Sequence, residues 1–250
     1  MHRDEDGSVT GKYKEANPAI VFRNVHKSFD GRPILRGISF DVYPGETLGI
    51  IGPSGCGKST ILKILCGLLE PDSGEVEVDK NEIGLVFQGS ALLNSYTVRE
   101  NLELALRGRK MSKADKAAQI KKTLELVGLG DHLDHFPSEL SGGQQKRTSF
   151  ARAVVYNPKI ILYDEPTTGL DPVMSTIVED YIIELEKELH AASIVVTHQF
   201  STWTRTAERI IMMHAGKIVW EGTPEDAQET NNPYIHQFAH ATKEGPMLDA

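Results

Sequence analysis

Gly52-Pro53-Ser54-Gly55-Cys56-Gly57-Lys58-Ser59 is the stretch of this 250-residue chain that decides its fold. It follows the strand-like run Glu46–Ile51 and precedes Thr60–Leu69, where Ile61, Ile64, Leu65 and Leu68 recur at helical spacing until Pro71 and Gly74 close the pattern. The string is G-x-x-x-x-G-K-S in a strand–loop–helix setting. Its glycines let backbone N–H groups curl around phosphates, and the following helix points its positive end at them. Lys58 is then placed to reach the β- and γ-phosphates, and the Ser59 hydroxyl to ligate Mg²⁺. Cys56 sits at a free position of the string and reads as incidental, with sensitivity of the site to alkylation as the alternative.

Outward from this loop, short apolar runs alternate with helical ones. Ala19–Val25 and Ile38–Val42 read as strands around a Gly31-Arg32-Pro33 turn, and Glu75–Val78 and Ile83–Phe87 as further strands. Three helical stretches follow, Val98–Leu106, Lys113–Val127 and Ser141–Tyr156, after which β/α alternation resumes from Ile160. The expected architecture is α/β, a parallel-sheet domain with an antiparallel β portion and a helical insert over about 89–157. Residues 18–228 form the main domain in this reading, and 229–250 a separate tail. Met1 to Asn17 carries Asp4, Glu5, Asp6 and Glu15, fits neither a secretory signal nor a transit peptide, and reads as a solvated arm.

Composition narrows the class. Lys+Arg total 27 against 35 Asp+Glu, a net charge of −8, so no basic field favours nucleic acid as a partner. Two cysteines exclude a disulfide scaffold and a four-cysteine zinc site. The longest apolar runs, such as Leu48–Ile51, fall far short of the roughly 20 residues of a spanning helix.

Two more strings carry chemistry. Ile160-Ile161-Leu162-Tyr163 runs into Asp164-Glu165, which sets Asp164 at the carboxyl end of a sheet strand beside the Mg²⁺ and Glu165 where it can hold an attacking water. His198 follows the apolar run Ile194–Thr197 and belongs at the same sheet edge. Leu140-Ser141-Gly142-Gly143-Gln144-Gln145-Lys146-Arg147 opens a helix with small residues whose N–H groups suit an anion. That string lies on the insert, away from the Gly52–Ser59 loop. It completes a site only by meeting the nucleotide of a second copy.

Taken together, about residues 19–224 resemble the ABC (ATP-binding cassette) ATPases. The resemblance implies a P-loop NTPase with a RecA-like core, an antiparallel β subdomain and an inserted α-helical subdomain. In its terms Gly52–Ser59, with Thr60, is the Walker A loop, Ile160–Glu165 the Walker B strand, and Ser141, Gly142, Gly143 and Gln144 the signature that acts in trans. Gln88 matches the Q-loop and joins Ser59 and Asp164 around Mg²⁺, Asp171 matches the D-loop, and His198 is the switch histidine that contacts the γ-phosphate. Phe29 stands where the family stacks an aromatic ring on adenine, often a tyrosine. Two such chains would close over two MgATP beneath two subunits of a multi-span membrane permease, on the cytoplasmic face of an inner membrane.

The stretch from Gln88 to Asn101, with Ala91-Leu92 and Thr97-Val98-Arg99-Glu100-Asn101, is similar to Mla-type ATPases, which power phospholipid movement with Mce-domain proteins. Gln199 in Thr197-His198-Gln199 looks like the cyanobacterial and plastid branch of that group, and the tail from Asn232 to Pro246 resembles the group's ending. Gln144-Gln145 leans instead toward amino-acid or other small-solute importers, and a non-transport ABC ATPase is a third alternative. Within the tail, Tyr234, Ile235 and Phe238 make an apolar stripe expected to dock on the other cassette. The His236/His240 pair, with no Glu following His236, is expected to be only a surface helix face, and so are His132 and His135.

Overall fold

The chain enters on a hairpin: Ile20–Phe29 (β1) pairs antiparallel with Arg32–Val42 (β2) in a computed structural model that describes Tyr13 and residues 16–247. The turn is Asp30-Gly31 rather than Gly31-Arg32-Pro33, with φ of 49° and 76°, because two residues at positive φ match the strand twist. Thr47–Ile51 (β3) is buried at every position and runs into Lys58–Leu65 (α1). That helix stops earlier than its periodicity implies. Gly67 turns left-handed (φ 70°), and the N–H groups of Leu68 and Leu69 both return to the Lys63 carbonyl, leaving Leu68 exposed.

Ser73–Val78 (β4) returns to β1, giving a three-stranded antiparallel sheet in the order β2-β1-β4. Ile83–Val86 (β5) belongs to the larger sheet. Val98–Ala105 (α2), Lys113–Leu126 (α3) and Gly142–Val154 (α4) follow, with their own core of Val98, Leu102, Ile120, Leu124, Ala151 and neighbours. Ile160–Asp164 (β6), Pro172–Leu189 (α5), Ala192–Val196 (β7), Phe200–Thr206 (α6) and Arg209–His214 (β8) rebuild the α/β alternation. Lys217–Gly222 (β9) adds an antiparallel edge, so the six-stranded sheet reads β5-β6-β7-β3-β8-β9. β3, β6 and β7 are its apolar centre, and their carboxyl ends face one way because β5 through β8 are parallel.

Arg209 ties the two sheets together. It is 4% exposed, donates to Glu46 Oε1 and Glu221 Oε1 at 2.7 Å each, and reaches the Asp41 carbonyl on β2. Burial raises the Glu46 carboxyl against the opposing pull of that guanidinium.

The chain closes with Pro224–Glu229 (α7) and Pro233–His240 (α8). The apolar stripe of the tail folds onto this chain rather than facing outward. Ile235 is fully buried among Ile51, Trp203, Ile210, Met212 and Ala227, with Tyr234 and Phe238 packed beside it. Gln237 then folds the end back, donating to the Thr242 carbonyl and accepting from the Met247 amide. Most of the expected arm lies outside the described residues. Tyr13 within it is packed, its ring stacked on Tyr43 at 5.3 Å and its hydroxyl hydrogen-bonded to Glu208. Among the described residues no helix is long and apolar enough to cross a membrane.

Candidate functional site

The loop after β3 needs its glycines for different reasons. At Gly52 φ is 143° and a Cβ would run into the Met213 carbonyl oxygen of β8. At Gly57 φ is 111° and a Cβ would stand 2.7 Å from Leu35 Cδ2, so the antiparallel sheet presses directly on the loop. Lys58, 7% exposed, folds back to donate to the Gly52 and Pro53 carbonyls at 2.7 and 3.0 Å. Cys56 is buried behind the loop. Desolvation pushes its thiol up, with Lys58 opposing, which disfavours the thiolate that alkylation needs and agrees with an incidental Cys56.

A cavity of about 390 Å³ opens over this loop. It is lined by Phe29 and Ile34 from the hairpin, by Ser54, Gly55, Gly57, Lys58, Ser59 and Thr60, and by Gln88, Glu165 and His198 from the ends of neighbouring strands. One wall therefore comes from each sheet. Phe29 is 42% exposed at the hairpin tip, with Lys27 Nζ 5.6 Å from its ring centroid.

At the floor, Ser59 Oγ lies 3.4 Å from Asp164 Oδ1. Burial raises the Asp164 carboxyl, and the adjacent Glu165 charge raises it further. Two crowded carboxylates beside a hydroxyl form an all-oxygen donor set, which fits a hard cation such as Mg²⁺. Glu165 itself sits at φ 50°, an unusual conformation for a non-glycine residue, held by its N–H to the Val196 carbonyl at 2.9 Å. Its carboxylate accepts from His198 Nδ1 at 2.9 Å and from Thr168 Oγ1 at 3.1 Å. With Nδ1 donating, His198 keeps Nε2 for a second partner. Thr168 had no signal in the sequence; only the turn that follows Glu165 brings it there.

The remaining sequence-predicted residues stand elsewhere. None of Ser141, Gly142, Gly143 and Gln144 lines the cavity. They begin α4, where Ser141 and Gln144 satisfy each other as a capping box and Ser141 and Gly142 face solvent. Gln144 also bonds His132 at 2.9 Å, so His132 supports this helix start instead of standing on a free face. Asp171 caps α5, accepting from the Val173 and Met174 amides at 3.0 Å. Met174 in turn fills the side-chain space of Gly143.

A glycine loop between strand and helix, with a carboxylate pair and a histidine at adjacent strand ends, defines a P-loop nucleotide hydrolase. The ABC transporter family profile matches residues 35–168, more than half of the chain. A protein of Arabidopsis thaliana, TRIGALACTOSYLDIACYLGLYCEROL 3, chloroplastic, is 41% identical over 95% of this chain and 78% of its own length. The methionine import ATP-binding protein MetN of Caulobacter vibrioides is 36% identical over 83% of this chain and 68% of its own. Among solved structures, cbiO1 from Clostridium perfringens, part of the ABC transporter complex cbiONQ, aligns with a TM-score of 0.80 at 26% identity, over 86% of this chain and 92% of that one. A dimeric ATP-binding cassette in a post-hydrolysis state bound to ADP and Pi aligns with a TM-score of 0.73 at 33% identity, over 82% and 98%. The chain belongs to the ABC transporter family, as an ATP-binding subunit with the fold of an ABC ATPase. It is an ATP hydrolase.

Proposed function

We propose that this subunit drives phospholipid transport with an Mla-type permease and an Mce-domain protein, at the cytoplasmic face of the membrane that holds the permease. The observation that carries the ATP chemistry is the Glu165–His198 hydrogen bond inside the cavity that also holds Phe29 and the Gly55–Thr60 loop. Phe29 stacks on the adenine, while the loop amides and the Lys58 ammonium hold the phosphates. Ser59, Asp164 and Gln88 would hold Mg²⁺, which neutralises charge on the phosphates when bound. Glu165 orients the attacking water and accepts its proton on the carboxylate. His198, fixed by its Nδ1 bond to Glu165, presents Nε2 to the γ-phosphate. The exposed Ser141 and Gly142, with Gly143 and Gln144, supply the Ser141 O–H and helix-start amides to the nucleotide of a second copy, and Asp171 lies at the same dimer face.

The lipid assignment is supported by the 41% identity to a relative named for a galactolipid, over nearly the whole chain, and by the Gln88–Asn101 stretch. A groove of about 870 Å³ next to that stretch, with Phe87, Leu93 and Leu104 on its walls and Arg107 and Arg109 at one end, is where a cytoplasmic segment of the permease would seat. Small-solute import is the second reading, favoured by Gln144-Gln145 and by the 36% identity to a methionine import protein.

The test is affinity purification of tagged Glu165→Gln from native membranes with MgATP, followed by mass spectrometry. Recovery of an Mce-domain protein with a multi-span permease is the expected result. A permease with a solute-binding protein would replace lipid transport with solute import, and no membrane protein at all would refute both.

A further inference from the structure

Lys146 is a lysine on the buried side of a helix. Within α4, Lys146, Phe150 and Ala153 share one face at i, i+4 and i+7, and all three are buried, Lys146 at 4% exposure. Its Nζ donates to two successive carbonyls at the end of β5, Phe87 at 3.0 Å and Gln88 at 2.8 Å. Two turns further along the same helix, Arg152 donates to the carbonyls of Ala91 at 2.7 Å and Ser90 at 3.4 Å. Close by, the Ala153 carbonyl occupies the space a side chain on Gly84 would need, which seats α4 directly on the β5 backbone. The helix that begins with Ser141-Gly142-Gly143 thus grips four carbonyls of the Gln88 segment with two cations.

Carbonyl partners on a polar surface would ordinarily be water. Here burial has been imposed on a charged group, and burial pushes the Lys146 ammonium down to about 8, with the Asp164 carboxylate opposing. A sequence fills such a position with a lysine only where its bonds compensate the desolvation. An apolar residue would pack on this face but remove the donor that holds the Phe87 and Gln88 carbonyls.

We propose that Lys146 is a positioning residue for ATP hydrolysis: it fixes the Gln88 backbone to the signature helix, so that drawing Gln88 toward the phosphates and presenting the signature to the second copy are one movement. This rests on the assignment of Gln88 to the MgATP site. The hydrogen bonds of Lys146 go to Phe87 and Gln88 and not to the Gly52–Thr60 loop, so its loss acts on turnover and closure and spares nucleotide capture.

The experiment compares Lys146→Met, Lys146→Gln, Lys146→Arg and Gln88→Ala in the full chain. It measures ATP kcat, ATP affinity at equilibrium in the Glu165→Gln background, ATP-driven dimerisation in that background, and hydrogen exchange of amides 87–92 without nucleotide. The expected result for Lys146→Met is a kcat lower by about tenfold or more, ATP affinity within about twofold, weaker dimerisation and faster exchange over 87–92. Lys146→Arg restores all four, since it can still donate to both carbonyls. Lys146→Gln, which keeps a donor without the charge, falls between and stands in if the methionine variant does not fold. A slow Gln88→Ala beside a normal Lys146→Met overturns the proposal alone. A normal Gln88→Ala overturns the assignment of Gln88 and the proposal with it. Parallel loss of kcat, ATP affinity and thermal stability in both Met and Gln variants, unrescued by arginine, reduces Lys146 to a packing residue and overturns it too.

Discussion

Ile235→Ala separates a tail that belongs to its own domain from one that reaches across to a second copy. Ile235 is fully buried against Ile51, Trp203, Ile210, Met212 and Ala227. The substitution removes three carbons, about 2.4 kcal/mol of transfer free energy at roughly 0.8 kcal/mol each. An unrelaxed void of about 70 Å³ adds about 1.7 kcal/mol. The sum of about 4 kcal/mol is an upper figure, because a helix as short as α8 has little stability alone and detaches once its docking energy is spent. At roughly 2–4 °C per kcal/mol for a chain of this size, Tm falls by about 5–15 °C. Trp203, fully buried in the same cluster, loses its cover, so its fluorescence shifts to the red before global unfolding. Thermal unfolding followed by tryptophan emission reads both effects. Sedimentation of Glu165→Gln with ATP, at a temperature where the variant is folded, reads dimerisation, which should be unchanged. An unaltered Tm together with a weakened dimer would refute the packing described for α8.

Gly52→Ala forces a Cβ against the Met213 carbonyl at a φ that alanine avoids, so it should cost at least about 2 kcal/mol and abolish ATP binding in calorimetry. Gly55→Ala, whose Cβ meets nothing within 4 Å, should be milder, and equal losses would contradict the geometry. Burial and the Asp164 charge push the Cys66 thiol up to about 11, so alkylation near pH 7.5 should run about a hundredfold slower than for an ordinary thiol and rise about tenfold per pH unit to pH 10. Rapid modification at neutral pH, read by mass spectrometry, would contradict that environment. The Lys27 ammonium at 2.7 Å and the Ser28 amide hold the Asp72 carboxyl below its usual range. A lowered folded-state value stabilises above the unfolded pKa and is lost as pH falls through the folded one. Asp72→Asn should therefore flatten the drop in Tm between pH 5 and pH 3, and an unchanged slope would remove Asp72 from the acid response.

The strand–loop–helix around Gly52–Ser59 and the strand ending in Asp164-Glu165 were legible because local patterns determine them: glycines at forced angles, apolar runs, a carboxylate at a strand end. What each surface packs against was not. The Tyr234/Ile235/Phe238 stripe announces a partner surface without saying whose, and the domain's own β8–β9 side supplies it. Tyr13 hid among acidic neighbours, and its role depends on Tyr43 and Glu208, far along the chain. The Asp30-Gly31 turn carried the usual hairpin signal and was displaced by the more conspicuous Pro33. Short helices such as α6 and α7 offer too few turns for a period to register. Lys146 had a readable sign, a cation in the apolar register of α4, but only the backbone of Gln88 gives it meaning.

The mixed parentage of the cavity bears on which nucleotides it accepts. At its aromatic end, Phe29 and Ile34 would offer a base a π-face and an aliphatic edge, with Lys27 Nζ 5.6 Å from the Phe29 ring centroid. Stacking of that kind treats adenine and guanine much alike, as it does in sequence-indifferent binding of single strands. Were Phe29 the main contact of the base, choice among purine triphosphates would fall to cellular abundance. The cassette would then read phosphate charge rather than base identity, which a comparison of ATP and GTP hydrolysis tests.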